Sequence, residues 1–271
     1  MRDSFKAIGC YGIVVVSFSV AAPIAAAQSI EQQWAYCVYH GNTYGPELNI
    51  SGCTAVIESG EESPANLAMA FNNRGNAYRD LGDFARAFAD YDQAIELNPH
   101  YATAFSNRGN TYADQGNQAR AIADLDQAIQ LDPQNVNAFF GRGNSYYAQG
   151  DYASAIADYD QAIELNPQAA LVFNNRGSAY AKLGDHARSI ADFDEAARLE
   201  PRFADAFFNR GNVYLYQGDY ARAILDYDQA IQLDPQKADA YYNRGIAYRN
   251  QGDYTRAIAD IDKAIKLSPQ K

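Results

Sequence analysis

Three histidines, a cysteine pair and one glycine-flanked arginine are the residues of this chain whose types and spacing could support chemistry. His40, His100 and His186 could carry protons near neutral pH, but they stand at unrelated places and read as surface variants. Cys37, His40 and Cys53 are the metal-ligand candidates, and three ligands fall short of the four that close a structural zinc site. Gly141-Arg142-Gly143 resembles the start of a phosphate-binding loop, yet it lacks the third glycine and falls inside a helical pattern. Metalloprotease, nucleophile-elbow and P-loop motifs do not occur. The expectation is a protein that is not an enzyme and uses no cofactor and no metal.

The elements that must position these residues begin with an atypical N-terminus. Arg2 and Lys6 precede an apolar run from Ala7 to Ala22, followed by Pro23 and then Ala25, Ala26 and Ala27. This order reads as a secretory signal over residues 1–27, cleaved after Ala27. An uncleaved membrane anchor is the alternative, although Gly9, Gly12, Ser17, Ser19 and Pro23 dilute the run. Cys10 precedes the apolar segment, which argues against a lipoprotein signal. Cleavage leaves Cys37 and Cys53 as an even pair in an oxidising compartment, so a disulfide is expected. Closing that loop stabilises by roughly 3 kcal/mol in the chain-entropy model. The expected location is periplasmic or secreted, with no membrane contact after cleavage. A net charge of -11 without any run of lysine or arginine argues against nucleic acid as a partner.

From residue 68 onward the chain repeats every 34 residues. Glycines recur at 75, 109, 143, 177, 211 and 245, and prolines at 99, 133, 167, 201, 235 and 269. Counting repeats as 68–101, 102–135, 136–169, 170–203, 204–237 and 238–271, the eleventh place is always tyrosine, from Tyr78 to Tyr248. Places four, eight and eleven (Phe71, Gly75, Tyr78) share one face of a first helix, and places twenty, twenty-four and twenty-seven (Ala87, Tyr91, Ala94) share one face of a second. Between them Gly82 and its equivalents, followed by aspartate or by Asn117, stop one helix and cap the next. The proline that closes each repeat forces the chain out of helix. Gly75 and Ala87 allow the two helix axes to approach, and enlarging Ala87 is expected to cost about 1–3 kcal/mol.

The pattern Phe71, Gly75, Tyr78, Ala87, Tyr91, Ala94, Pro99, repeated six times, resembles the tetratricopeptide repeat. Two departures are arginine at the seventh place throughout and Ser189 in place of alanine. The resemblance implies an all-α fold, an α-solenoid forming a right-handed superhelix of six 34-residue helical hairpins, whose concave wall comes from the first helix of each repeat. It also implies a protein-protein interaction scaffold that binds a protein or peptide in the concave groove. By wheel geometry places two, five, nine, twelve and thirteen face outward. They give a polar strip of Asn72, Asn76, Arg79, Ser106 and Asn110, joined by Phe140, Asn144, Tyr147, Phe208, Asn212, Tyr216 and Tyr242. Amides offer donors and acceptors and aromatics offer area, which suits an extended segment. The alternative is that these asparagines are plain helix-tolerated residues and the aromatics pack between repeats. The family's clamp for acidic C-terminal tails needs lysine at the second place. Here that place holds Met69, Thr103, Asn137, Leu171, Asp205 and Asp239, so such tails are not expected ligands.

Arg74, Arg108, Arg142, Arg176, Arg210 and Arg244 at place seven are matched by Asp90, Asp124, Asp158, Asp192, Asp226 and Asp260 at place twenty-three. Both lie about 60° from their apolar faces, so an ion pair at the margin of each helix-helix contact is expected. An arginine ladder in the groove is the alternative. Asp92, Asp126, Asp160, Asp194, Asp228 and Asp262 point about 140° from the core and read as solvated charge. Ahead of the repeats, 28–67 is expected to form a degenerate hairpin, with helices over 30–40 and 47–58, that caps the solenoid. Asn49-Ile50-Ser51 matches a glycosylation sequon at a frequency near chance. At the far end Ile258 and Ile265 have no following helix, which suggests a weak homodimer or a partner docking through repeat six. A structural role in an envelope complex, engaging partners through its ends, is the rival to a peptide binder.

Overall fold

In a computed structural model of the protein, residues 29–38 and 45–268 are described. The expected signal over 1–27, Cys10, His40, Pro269 and the final residues lie outside them. Among the described residues there are fourteen helices and no strand. They are α1 (Ile30–Cys37), α2 (Pro46–Ser59), α3 (Pro64–Asp80), α4 (Phe84–Leu97), α5 (Ala102–Asp114), α6 (Gln118–Leu131) and α7 (Val136–Gln149), followed by α8 (Tyr152–Leu165), α9 (Ala170–Lys182), α10 (His186–Leu199), α11 (Ala204–Tyr216), α12 (Tyr220–Leu233), α13 (Ala238–Asn250) and α14 (Tyr254–Leu267).

Each helical hairpin turns on the same chemistry. Gly82 adopts φ 75°, a left-handed conformation that glycine reaches without a Cβ penalty, and so ends α3. Asp83 then accepts the Arg86 backbone N–H at 3.1 Å and its Nε at 2.7 Å, capping α4. The Arg86 guanidinium lies 4.3 Å from the centre of the Tyr78 ring, so the last turn of one helix is tied to the first turn of the next. Arg188, Arg222 and Arg256 repeat this over Tyr180, Tyr214 and Tyr248. The second helix exits through Asn98 at φ -140°, an extended conformation that Pro99 imposes on its predecessor.

Inside a hairpin the helices touch at glycine. A Cβ on Gly75 would stand 2.7 Å from the Tyr91 ring, and Gly143 and Tyr159 make the same fit. Tyr91, Tyr159 and Tyr227, together with Ala87 and Ala94 and their equivalents, are the buried centre of their hairpins. Helices α3, α5, α7, α9, α11 and α13 each touch the next in the series, whereas α4, α6, α8, α10, α12 and α14 do not touch one another. The first helices therefore form the tighter, inner row of the stack, and the second helices fan out around them.

The expected ion pairs are present in all six repeats. Arginine Nε and Nη2 donate to the two oxygens of the place-twenty-three aspartate at 2.6–2.9 Å. The aspartate side chains are 6–12 % exposed and the arginines 17–20 %. The carboxylates raise the arginine pKa values above their ordinary level. Burial pushes Asp192 and Asp226 up, against the pull of Arg176 and Arg210. The place-twenty-five aspartates were expected to be solvated charge, and five of them are 43–58 % exposed but are also ion-paired across repeats. Asp92, Asp126, Asp160 and Asp228 accept from Nη1 of the next repeat's arginine at 2.5–2.6 Å, and Asp194 does the same with Arg210. A wheel measures direction from a helix's own face and does not show that the next repeat's arginine reaches the carboxylate. The arginine ladder is accordingly structural: each guanidinium joins its own repeat to the one before. Arg74 has no preceding repeat, and its Nη1 donates to Thr54 Oγ1 of α2 at 3.0 Å.

Helices α1 and α2 form the expected hairpin, joined by a Cys37–Cys53 disulfide. Val56 and Ala70 are buried together beside it, with Trp34 packed against them, so the hairpin covers the open face of repeat one. The Trp34 indole donates to Glu62 at 2.6 Å. Asn49 is buried and donates to the Tyr36 and Cys37 carbonyls, which removes the sequon as a sugar acceptor. At the other end Ile258 and Ile265 are 62 % and 57 % exposed, because no further hairpin follows α14 among the described residues to cover them.

Candidate functional site

The inner row of first helices carries a continuous trough. Three recesses of about 610, 400 and 520 Å³ follow one another and share wall residues, Asn144 between the first two and Tyr147 between the last two. Of the residues expected there, Arg79, Asn110, Phe140 and Asn144 line the first recess, and Tyr147, Asn212 and Tyr216 line the last. Tyr216 is the most exposed large apolar side chain in the described chain, at 78 %.

The others lie elsewhere. Asn72, Asn76 and Ser106 are buried rather than outward-facing: Asn76 accepts the Tyr91 hydroxyl at 2.8 Å, and Asn72 accepts from Asn107 of the next repeat at 2.8 Å. The wheel fails because α5 packs against Asn72 and the Tyr91 side chain of α4 reaches Asn76. Phe208 is half-buried against Tyr227, with Lys237 over its ring. Tyr242 lines a separate apolar recess of about 440 Å³ at the C-terminal end with Ile261, Ala264 and Ile265.

A series of asparagine amides runs along the trough wall. Place six holds asparagine in five of the six repeats (Asn73, Asn107, Asn175, Asn209, Asn243) and Gly141 in the third. Asn107 and Asn209 donate to Asn72 and Asn174, whereas Asn175 and Asn243 donate to Asn144 and Asn212, at 2.8–3.0 Å. The acceptor sits at place five where that residue is asparagine, and at place nine where Phe140 or Phe208 occupies place five. Asn144 Oδ1 and Asn212 Oδ1 also accept from the Tyr159 and Tyr227 hydroxyls at 2.8 and 2.9 Å. Burial raises both tyrosine pKa values, so these hydroxyls remain donors. With Oδ1 doubly engaged, Asn144 and Asn212 present their N–H2 groups to the trough. Two fixed donors at the same place, two repeats apart, can meet the carbonyls of an extended chain.

Sequence reasoning missed the place-six asparagines and two polar residues at place seventeen. Their signal was available: asparagine recurs at a single register, and Gln118 and His186 interrupt an otherwise aromatic series of Phe84, Tyr152, Tyr220 and Tyr254. His186 is no surface variant, since it lines the last recess 5.0 Å from the Tyr216 ring. Among the described residues no cluster of side chains could hold a metal ion, and no helix is long and apolar enough to cross a membrane.

Tetratricopeptide repeat profiles match residues 75–116, 109–150, 143–184, 179–218 and 208–271. Among solved structures the chain is similar to YrrB, described as "a TPR protein with an unusual peptide-binding site". The two share 27 % identity over 66 % of this chain and 93 % of that one, with TM-score 0.54. MamA is 26 % identical over 63 % and 93 %, TM-score 0.56. PilW, a type IV pilus biogenesis factor, shares the fold at 17 % identity over 76 % and 95 %, TM-score 0.70. No curated protein sequence matches the chain.

Proposed function

Since the chain belongs to the tetratricopeptide repeat family, whose members are generally protein-interaction scaffolds, we propose that it is a non-catalytic scaffold holding an extended peptide segment of a partner protein in the concave trough. The observation that carries this reading is the locked orientation of Asn144 and Asn212, whose N–H2 groups face the trough between Tyr147 and Tyr216. Fixed donors bind a backbone without a rotamer cost, and the aromatics add buried area. The description of YrrB as having a peptide-binding site points the same way. The test is binding to an array of nine-residue peptides. Asn144→Ala with Asn212→Ala is expected to lower signal across the array about tenfold or more, as loss of two hydrogen bonds would. Unchanged binding by that variant, or no binding by the parent chain, refutes the trough as the site.

The exposed end of repeat six supports a second reading, self-association or assembly through the ends. Ile258 and Ile265 are exposed where the corresponding Ile224 and Ile231 are covered by the next hairpin. A weak homodimer through this face predicts a concentration-dependent sedimentation coefficient that Ile258→Glu abolishes. The N-terminal pattern and the Cys37–Cys53 disulfide support export to the periplasm or beyond the cell. N-terminal sequencing of the protein from its native compartment checks this: a start at residue 28 is expected, and an intact Met1 refutes cleavage.

A further inference from the structure

The asparagine series is interrupted at one junction, between repeats two and three. Gly141 replaces the place-six asparagine, and Leu125 stands where Tyr91, Tyr159 and Tyr227 donate to the place-nine amide of repeats one, three and five. Two internal donors are therefore missing together. Asn110 Oδ1 lies 2.1 Å from where a Cβ on residue 141 would stand. Ser106, 2 % exposed, has an Oγ with no hydrogen-bond partner within the protein. The Gln118 Oε1, buried on the wall of the same recess, also has none, while its Nε2 makes only a 3.5 Å contact to the Ala113 carbonyl. Buried polar groups are nearly always paired, so these two in repeat two require an explanation; the other two such atoms among the described residues, His186 Nδ1 and Ser189 Oγ, lie in repeat four.

We infer that this gap is the trough's specificity subsite and takes a side-chain carboxamide, that of an asparagine or glutamine in the bound segment. This inference rests on the peptide-binding reading above and names what that trough selects. The first argument is substitution: at the junctions before and after it, the corresponding position is filled by the protein's own asparagine amide. The second is pairing. Gln118 is held only by its 3.5 Å contact, and once its side chain turns Oε1 into the recess, a carboxamide N–H donates to it while the carboxamide carbonyl accepts from the Asn110 amide. The third is charge. The lining carries one arginine, Arg79, and one aspartate, Asp114, and Arg79 is held by Asp80 at 3.5 Å. With the lining balanced in this way neither sign of charge is selected for, and a carboxylate also sets acceptor against acceptor at Gln118. The recess, about 610 Å³, admits a side chain of this size.

The same peptide array separates this inference from the reading beneath it. Peptides bound by the full chain are expected to be enriched in asparagine or glutamine at one position relative to the bound core, with glutamate and leucine excluded there. Gly141→Asn fills the gap from within, since Asn110 can rotate to accept from it as Asn144 does from Asn175. This variant replaces a helical glycine by a residue that neighbouring repeats tolerate, and its unfolding midpoint is read alongside. It is expected to bind peptides overall while losing the carboxamide preference about tenfold. Gln118→Leu, on the first turn of α6, is expected to lose the same preference independently. Binding without carboxamide enrichment, or enrichment that survives both substitutions, overturns the subsite and leaves the trough intact. Absence of binding by the parent chain overturns both.

Discussion

Replacing Asp158 by alanine strands Arg142 in the contact between α7 and α8, and the geometry states what that costs. Asp158 accepts two charge-assisted hydrogen bonds at 2.8 and 2.6 Å, and its side chain is 6 % exposed. Removing one member of a desolvated pair costs about 3–5 kcal/mol, because the survivor stays buried without compensation. Arg142 is itself 20 % exposed and keeps Asp126 at 2.5 Å, which moves the expected loss to the lower end, about 3 kcal/mol. Asp126 is 53 % exposed, so Asp126→Ala is expected to cost about 0.2–1 kcal/mol despite the shorter contact. With a urea dependence of about 3 kcal/mol per M, the two variants separate clearly, a midpoint shift of about 1 M against about 0.3 M or less. The assay is urea unfolding followed by circular dichroism for the parent, both single variants, and Arg142→Met combined with Asp158→Leu. The double variant is expected to recover most of the loss, since an apolar pair needs no charge compensation. Equal shifts for Asp158→Ala and Asp126→Ala, or a double variant no better than Asp158→Ala, would refute the claim that desolvation sets the cost.

Gly75→Ala places a methyl 2.7 Å from the Tyr91 ring and is expected to lower stability by about 1–3 kcal/mol, measured by urea midpoint, although alanine is the better helix former. The Asp151 cap predicts a pH dependence. Its carboxylate is held below the ordinary range by the Ser154 hydroxyl and backbone N–H, so its contribution is present above the unfolded pKa of about 3.9 and is lost as pH falls through the folded value. Asp151→Asn keeps a capping oxygen but cannot titrate, so it should match the parent at pH 7 and lose less stability on acidification; identical acid profiles would contradict this. Reducing Cys37–Cys53 should cost roughly 3 kcal/mol locally. Hydrogen exchange should show it as faster exchange in α1 and α2 with α7 to α14 unchanged, and uniform acceleration would contradict the cap's independence.

The hairpins were legible before any coordinates because each rests on local chemistry repeated in one register. Gly82 needs the left-handed region, Asp83 needs an N-terminus to cap, and Pro99 cannot continue a helix. Arg142 and Asp158 were also legible, since two residues at fixed places on facing helices of one hairpin must meet. The trough was less so. Asn72, Asn76 and Ser106 were placed outward by a wheel that treats a helix as isolated, while α3 is packed by α2, α4 and α5, and α5 by first helices on both sides. Asp126 is solvent-facing as its wheel position implies, but its partner Arg142 is supplied only by the next repeat.

What the sequence alone determined is whatever lies within one 34-residue module: its helices, its corner, its glycine contact and its internal ion pair. What the tertiary structure decided is every relation between modules: the second carboxylate on each arginine, the amide-to-amide bonds along the inner row, and the interruption at Gly141. The physical reason is that a periodic sequence specifies local bonding by register, whereas the angle at which modules stack determines which registers face one another, and that angle is set by packing between each module and its neighbours.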